Sequence, residues 1–291
     1  MSNRIIVGVD GSAPSMGALR WAAFEAHRRN ADIFVVSCYR VPVYGSPEGA
    51  VYPTPDDIEL FEESATEIVT KAIAIVAAID PTIAADTLTA MAPAAIAIAE
   101  AARPGDEIVV GATGHSGGID GLLGSVAMSV AHRSHVPVIV VPVAPAVEAG
   151  SSMKKIVVGV DGSAPSLHAL EWAYNEALVS GAELTAVHGW IYPYAGERTS
   201  VSEPRTQMQL DAMEELKSSL ESLGPRLTGG SLHIHARLVE QSPAEALLEE
   251  SKDADLVVIG SRGRGALRAA LLGSVSRTVA QHAACPVAVI R

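Results

Sequence analysis

Val7–Ser15 reads VGVDGSAPS, and the same nine residues return at Val158–Ser166. In both places a short apolar run ends in Gly-Val-Asp-Gly. A serine and a proline then open a segment with helical spacing. A continuous run of Val and Ile, too short for a helix and bounded by glycine, reads as a strand buried on both faces. Serine is a good helix cap and proline is tolerated in the first turn. The stretch is therefore a strand-turn-helix unit, and the chain contains it twice.

The repetition extends well beyond nine residues. Ile5–Ala26 and Ile156–Ala177 are identical at sixteen of 22 aligned positions. Further on, IVVGATGHSGGIDGLLGSV (Ile108–Val126) aligns without a gap to VVIGSRGRGALRAALLGSV (Val257–Val275), and VPVIVV (Val136–Val141) aligns to CPVAVI (Cys285–Ile290). Same order and similar spacing indicate a duplicated domain rather than a short-repeat solenoid. We expect domains at 1–143 and 155–291, joined by a small, polar linker at 144–154.

Within the first copy the pattern predicts strands at Arg4–Val9, Ile33–Cys38, Thr82–Leu88, Ile108–Gly111 and Val136–Val141. Helices are expected from Ser12 to about Arg28, from Asp56 and Asp57 to about Ala78, over Ala94–Ala102 and over Ser125–Arg133. The second copy repeats this, with SPAE (Ser242–Glu245) as a capping box. Strands alternating with helices predict a parallel sheet with right-handed crossovers and helices on both faces. The expectation is an α/β protein of two tandem doubly wound, Rossmann-like domains, each with a five-stranded sheet.

Composition agrees. The chain has 291 residues, 48% of them hydrophobic but only 4% aromatic, so its cores are aliphatic. A net charge of −12 argues against nucleic-acid binding, which needs a basic face. It does not exclude a small phosphate ligand. Cys38 and Cys285 occupy non-equivalent places with no metal-ligand spacing, and a reduced, cytoplasmic protein is expected. No apolar stretch is long enough to span a membrane. MSNRIIVGVD does not read as a signal peptide.

In doubly wound sheets ligands bind beyond the carboxyl ends of the strands, where the strand order reverses. That rule selects the loops after the first and fourth strands, where the copies agree best. After the fourth strand both copies read G-x-x-G-x9-G-S, with Gly111, Gly114, Gly124 and Ser125 in the first and Gly260, Gly263, Gly273 and Ser274 in the second. The first two glycines allow tight turns and close approach of a ligand to the backbone. The final Gly-Ser opens a helix whose N–H groups and dipole favour an anion. The parts make a phosphate cradle of backbone amides. Turn-forming glycines with a capping serine are the plainer alternative.

This motif, with a first strand ending in Asp, resembles the ATP-binding class of the universal stress protein family. The resemblance covers both copies nearly end to end and describes a tandem member. It implies a strand order of 3-2-1-4-5, ATP with Mg²⁺ at the switch point of each domain, and a cytoplasmic role in stress response. By resemblance the nucleotide sites contain Asp10, Gly11, Gly111, Gly114, Gly124, Ser125 and Val126 in the first copy. In the second they contain Asp161, Gly162, Gly260, Arg262, Gly263, Arg264, Gly273, Ser274 and Val275. Backbone at the end of the second strand meets adenine in the family, which points to Cys38 and Gly189. An aspartate aimed at phosphates would repel them. Asp10 and Asp161 are better suited to ribose hydroxyls or to Mg²⁺ through water, with a turn or cap role as the alternative.

Other motifs fail. There is no Walker loop, and Asp10 stands where a dinucleotide fingerprint needs glycine. HIH (His233–His235) offers two imidazoles but no third ligand. His132 and His135 suit a helix end. No nucleophile elbow is present. The copies also differ: Arg262, Arg264 and Arg268 replace Thr113, His115 and Ile119. Arginine is a strong phosphate partner, so tighter and more salt-sensitive binding is expected in the second domain. The segments Arg40–Thr54 and Trp190–Pro204 leave the second strands and would serve as lids or plain surface loops. The last strands, starting at Pro137 and Pro286, should be edges. Their pairing within the chain would reproduce the family's dimer, with a homodimer of whole chains and a regulatory protein partner beyond it. Three functions follow in order: a nucleotide-binding regulator with little or no turnover, an enzyme that slowly hydrolyses ATP or transfers its phosphate or adenylate, and a scaffold with a vestigial loop.

Overall fold

The computed structural model describes residues 4–42, 44–46, 49–114, 123–143, 153–192, 204–224, 232–264 and 272–291. Two compact units result, Met1–Ala144 and Pro145–Arg291. The linker expected at 144–154 falls almost entirely outside the described residues.

The first unit runs β1 (Arg4–Gly8), α1 (Ala13–Arg29), β2 (Asp32–Tyr39), β3 (Tyr44–Ser46), β4 (Gly49–Val51), α2 (Pro55–Ile79), β5 (Ala85–Met91), α3 (Ala94–Ala101), β6 (Glu107–Gly111), α4 (Ser125–Arg133) and β7 (Val138–Val141). Its main strands are parallel in the order β5-β2-β1-β6-β7. The second unit runs β8 (Lys155–Gly159), α5 (Ala164–Ser180), β9 (Glu183–Gly189), α6 (Arg205–Leu223), β10 (Ile234–Val239), α7 (Pro243–Glu250), β11 (Leu256–Gly260), α8 (Ser274–His282) and β12 (Val287–Ile290). Its order, β10-β9-β8-β11-β12, is the same. In both units this is 3-2-1-4-5, with the reversal between the first and fourth strands.

The central strands are apolar on both faces because helices cover both. Ile5, Ile6 and Val7 of β1 and Ile156, Val157 and Val158 of β8 are buried, as are Ile108 and Val109 of β6. Ser12 and Ser163 cap α1 and α5 by accepting the N–H of Ser15 and Ser166. Asn30 and Gly181 end those helices in the left-handed conformation. The capping box at Ser242 and Glu245 is present, and Thr54 with Asp57 makes another that starts α2 just before the expected aspartates.

Two local expectations need correction. β5 begins at Ala85, not Thr82, because Asp80 Oδ1 takes the Thr82 N–H at 2.8 Å and its hydroxyl at 2.6 Å, holding that residue in a turn. The Arg40–Thr54 segment is not all loop: β3 and β4 pair antiparallel within it. Most of its counterpart, 193–203, lies outside the described residues.

The amino ends of the strands are tied by two carboxylates, the buried Asp106 and the half-buried Asp255. Arg4 reaches Asp106 at 2.8 Å and the Ala101 carbonyl at 2.7 Å. In the second unit Asp255 accepts the N–H of Lys154 and Lys155. These charges are paired or hydrogen-bonded, as burial requires. They fix one end of the sheet and leave the carboxyl end open.

Candidate functional site

The repeated aspartate sits in the turn between the first strand and first helix. Asp10 Oδ1 accepts the Ser12 N–H at 3.0 Å and its hydroxyl at 2.5 Å. Asp161 Oδ1 does the same with Ser163 at 3.0 and 2.6 Å. The turn needs Gly11 and Gly162, whose φ values are +82° and +71°. So one carboxylate oxygen does the turn work that the sequence left open. The other, Oδ2, faces the loop of the fourth strand.

That loop is held by glycines with no room for a side chain. A Cβ on Gly111 would lie 2.9 Å from the Pro14 carbonyl carbon, and one on Gly260 2.7 Å from that of Pro165. The first helix therefore starts directly against the end of the fourth strand. A Cβ on Gly114 would lie 2.7 Å from Asp10 Oδ2, and one on Gly263 2.5 Å from Asp161 Oδ2. Gly124 and Gly273 close the loop by donating to Ala112 at 2.7 Å and Ser261 at 3.0 Å.

α4 and α8 then begin with Gly124 and Gly273 at the cap position and no side-chain cap. This contrasts with α1 and α5, which their own serines cap. The leading N–H groups of α4 and α8 carry the helix dipole's positive end into the loop mouth. Ser125 and Val126 open the first of these helices, exposed at its start. Ser274 and Val275 open the second.

In the second unit these parts surround a cavity of about 530 Å³. Asp161, Gly189, Gly260, Arg262, Gly263, Arg264, Gly273, Ser274 and Val275 all line it. Val187, Leu247, Ile259 and Pro243 supply an apolar wall. Gly162 instead lines an adjacent hollow with Glu214 and Glu215 of α6. Register makes Cys38 the equivalent of Gly189, each two residues beyond the partner of the first strand's last glycine. In the first unit a groove lies past Cys38, between Arg40–Pro42 and Met91–Pro93.

Burial alone would raise the pKa of Asp161. Hydrogen bonds from the Ser163 hydroxyl and N–H, from Ser166 and from the Arg264 N–H outweigh it and hold the carboxyl below its ordinary value. Arg264 also pairs through its guanidinium with Glu215. It is therefore not an unengaged phosphate ligand, as its place in the motif had implied. Arg268, His115 and Ile119 lie outside the described residues. His233 and His235 stack edge to face at 4.8 Å between ring centres. No group of three or more His, Cys, Asp or Glu among the described residues is arranged to hold a metal.

The apolar wall and Ser276 were not legible in the motif. Ser276 is buried and donates to the Gly260 carbonyl at 2.8 Å, fixing α8 to β11. Alanine stands at the matching position 127, so comparing the copies gives no signal. Leu247 and Pro243 come from α7, where the copies share little sequence.

Each unit is thus a doubly wound α/β domain whose glycine loop and uncapped helix face the switch point. The universal stress protein family model matches residues 1–142 and again 153–291, and the chain belongs to that family as a tandem member. It is 36% identical over 295 residues to a universal stress protein of Mycolicibacterium smegmatis, covering 99% of this chain and 96% of the relative. A universal stress protein of Mycobacterium tuberculosis is 31% identical over 301 residues, with 99% and 96% covered. Among solved structures, a universal stress protein from Archaeoglobus fulgidus matches with a TM-score of 0.70 at 22% identity, covering 100% of this chain and 99% of that one, which supports the fold. No helix among the described residues is long and apolar enough to cross a membrane.

Proposed function

We propose that each unit binds one ATP at the carboxyl end of its sheet, and that occupancy acts as a conformational switch in stress response with little or no turnover. The observation that carries this reading is the uncapped start of α8, which lies beside Gly260 and Gly263 in the lining of one cavity. A Gly260 packed against the Pro165 backbone, a Gly263 packed against Asp161, a dipole without its own cap, and a volume in the range of small-ligand sites together suit a polyphosphate with an apolar base. In this reading the phosphates meet the amides of the glycine loop and α8. The apolar wall of Val187 and Leu247 meets the base. Asp161 Oδ2 faces the ribose.

Magnesium fits only as a companion of the phosphates. Asp161 is the sole carboxylate among the described residues that line the cavity, and Mg²⁺ is commonly held by one or two carboxylates with substrate phosphates. A switch rather than an enzyme is favoured by the same lining. It includes no histidine, lysine or cysteine, and Asp161 Oδ1 is committed to Ser163. General base catalysis needs a group near the phosphates with a pKa close to the working pH, and Asp161 is shifted the other way.

A regulatory protein that reads the ordered loops, a dimer of whole chains, and a cytoplasmic location complete the proposal. The test is to purify the chain without added ligand, denature it and identify what is released. ATP supports the switch. ADP, together with turnover of added ATP, supports an enzyme. No nucleotide, and no binding of added ATP, rejects both.

A further inference from the structure

We propose that Glu215 is an internal competitor for the polyphosphate of the second unit. It holds the Arg264 guanidinium on α6, and a bound polyphosphate draws that guanidinium back, so occupancy and the α6 contact oppose each other in this unit alone. The inference rests on the nucleotide reading above and adds how that site is restrained, and by which residue.

Arg264 belongs to two hollows at once. It lines the cavity of about 530 Å³ with Gly263 and Asp161, and the adjoining hollow of about 430 Å³ with Gly162, Glu214 and Glu215. Its N–H donates to Asp161 Oδ2 at 3.3 Å, which fixes its backbone beside the carboxylate of the cavity. Its guanidinium instead crosses the turn after β8 to pair with Glu215. The crossing exists because residue 162 has no side chain. A Cβ on Gly162 would lie 2.6 Å from Arg264 Nη2 and 3.1 Å from Glu215 Oε1.

Exposure decides the contest. The Arg264 side chain is 59% exposed and that of Glu215 20%. A pair this open to water is screened, and favours contact by no more than about fivefold. A polyphosphate offers several anionic oxygens in the geometry that the arginine fork matches. The side chain therefore changes partner when the ligand arrives. The buried face of α6, formed by Ala212, Leu216, Ser219 and Leu223, does not involve the pair and stays in place. What changes is the hollow, where Glu214 and Glu215 lose their arginine. The first unit has no such contest, because Ile68 and His115 stand at the matching positions. A pair that opposes binding is itself opposed by binding to the same factor.

The full chain is titrated by calorimetry with Mg-ATP and with inorganic tripolyphosphate. All the variants lie in the second unit, so the first unit's site is a constant background. Glu215→Gln should tighten both ligands about two- to fivefold. Arg264→Ala should weaken both. Adding Glu215→Gln to Arg264→Ala should then change nothing, because the competitor has lost what it competes for. Glu214→Gln removes an equal charge from the same hollow and should leave affinity as in wild type. Glu215→Gln without a gain, Arg264→Ala without a loss, an equal gain in the Arg264→Ala background, or an equal gain from Glu214→Gln would each overturn the inference while leaving ATP binding intact. The last two would show plain charge repulsion in place of a contest for Arg264. No binding of either ligand by any form would overturn the nucleotide reading and this inference with it.

Discussion

Asp161 Oδ2 rests against the bare Cα of Gly263, where a Cβ would stand only 2.5 Å away. One residue comes from the turn after β8 and the other from the loop after β11. Their contact seals the two loops into one mouth, and Asp10 with Gly114 repeats it at 2.7 Å.

Gly263→Ala should therefore open that mouth. The added methyl forces the loop off the carboxylate, and ATP affinity in the second unit falls by about tenfold or more, near 1.4 kcal/mol per decade. Far-UV circular dichroism should be unchanged, since Gly263 lies outside the strands and helices. Unaltered affinity by calorimetry would show that the loop does not shape the site.

Asp161→Glu keeps the charge but lengthens the reach. The extra methylene pushes the carboxylate into Gly263 and breaks the short bonds to Ser163. ATP binding should weaken by a similar factor. If binding persists at wild-type strength in both variants, the site lies elsewhere.

Acid should unlock the same turn. The folded pKa of Asp161 lies below its unfolded value near 3.9, so the unfolded chain binds more protons in that range. Its contribution to stability is complete above about pH 5 and is lost as pH falls through about 4 and on towards the folded value. Urea midpoints of wild type and Asp161→Asn should differ at pH 6 and converge below pH 4. A gap that stays constant down to pH 3 would contradict this.

Freeing Arg264 should strengthen binding. Its guanidinium is paired with Glu215, a partner the first unit lacks: the buried pattern of α2 and α6 aligns Glu215 with Ile68. Glu215→Gln removes the competing anion. ATP affinity should rise by about two- to fivefold, the scale of one partly exposed ion pair. The salt dependence should steepen as the arginine engages phosphate. A drop in affinity would mean that the pair positions Arg264 rather than withholding it.

Gly260→Ala tests the fold rather than the ligand. Its Cβ would meet the Pro165 carbonyl carbon at 2.7 Å, so α5 must lift from β11. Overpacking of this kind costs about 1–3 kcal/mol. The second unit's melting temperature should fall by several degrees, read by calorimetry, with Gly181→Ala as a contrast. Gly181 has open space around its Cβ position but a φ of +72°, so its cost is backbone strain alone.

The sequence by itself determined the duplication and the alternation of strand and helix, and it singled out the two glycine-rich loops proposed here as the site. Those are local properties. Apolar runs set buried strands, Ser and Pro set helix starts, and glycine spacing marks where backbone must come close. Tertiary structure decided what no single stretch carries. It showed that Asp161 spends one oxygen on its own turn and turns the other to Gly263, that Arg264 is engaged by Glu215 from α6, and that Leu247 and Pro243 of α7 wall the cavity. It also set Cys38 against Gly189 at one register position. Each of these depends on which distant elements the crossovers bring side by side, and close packing there is settled atom by atom rather than by pattern.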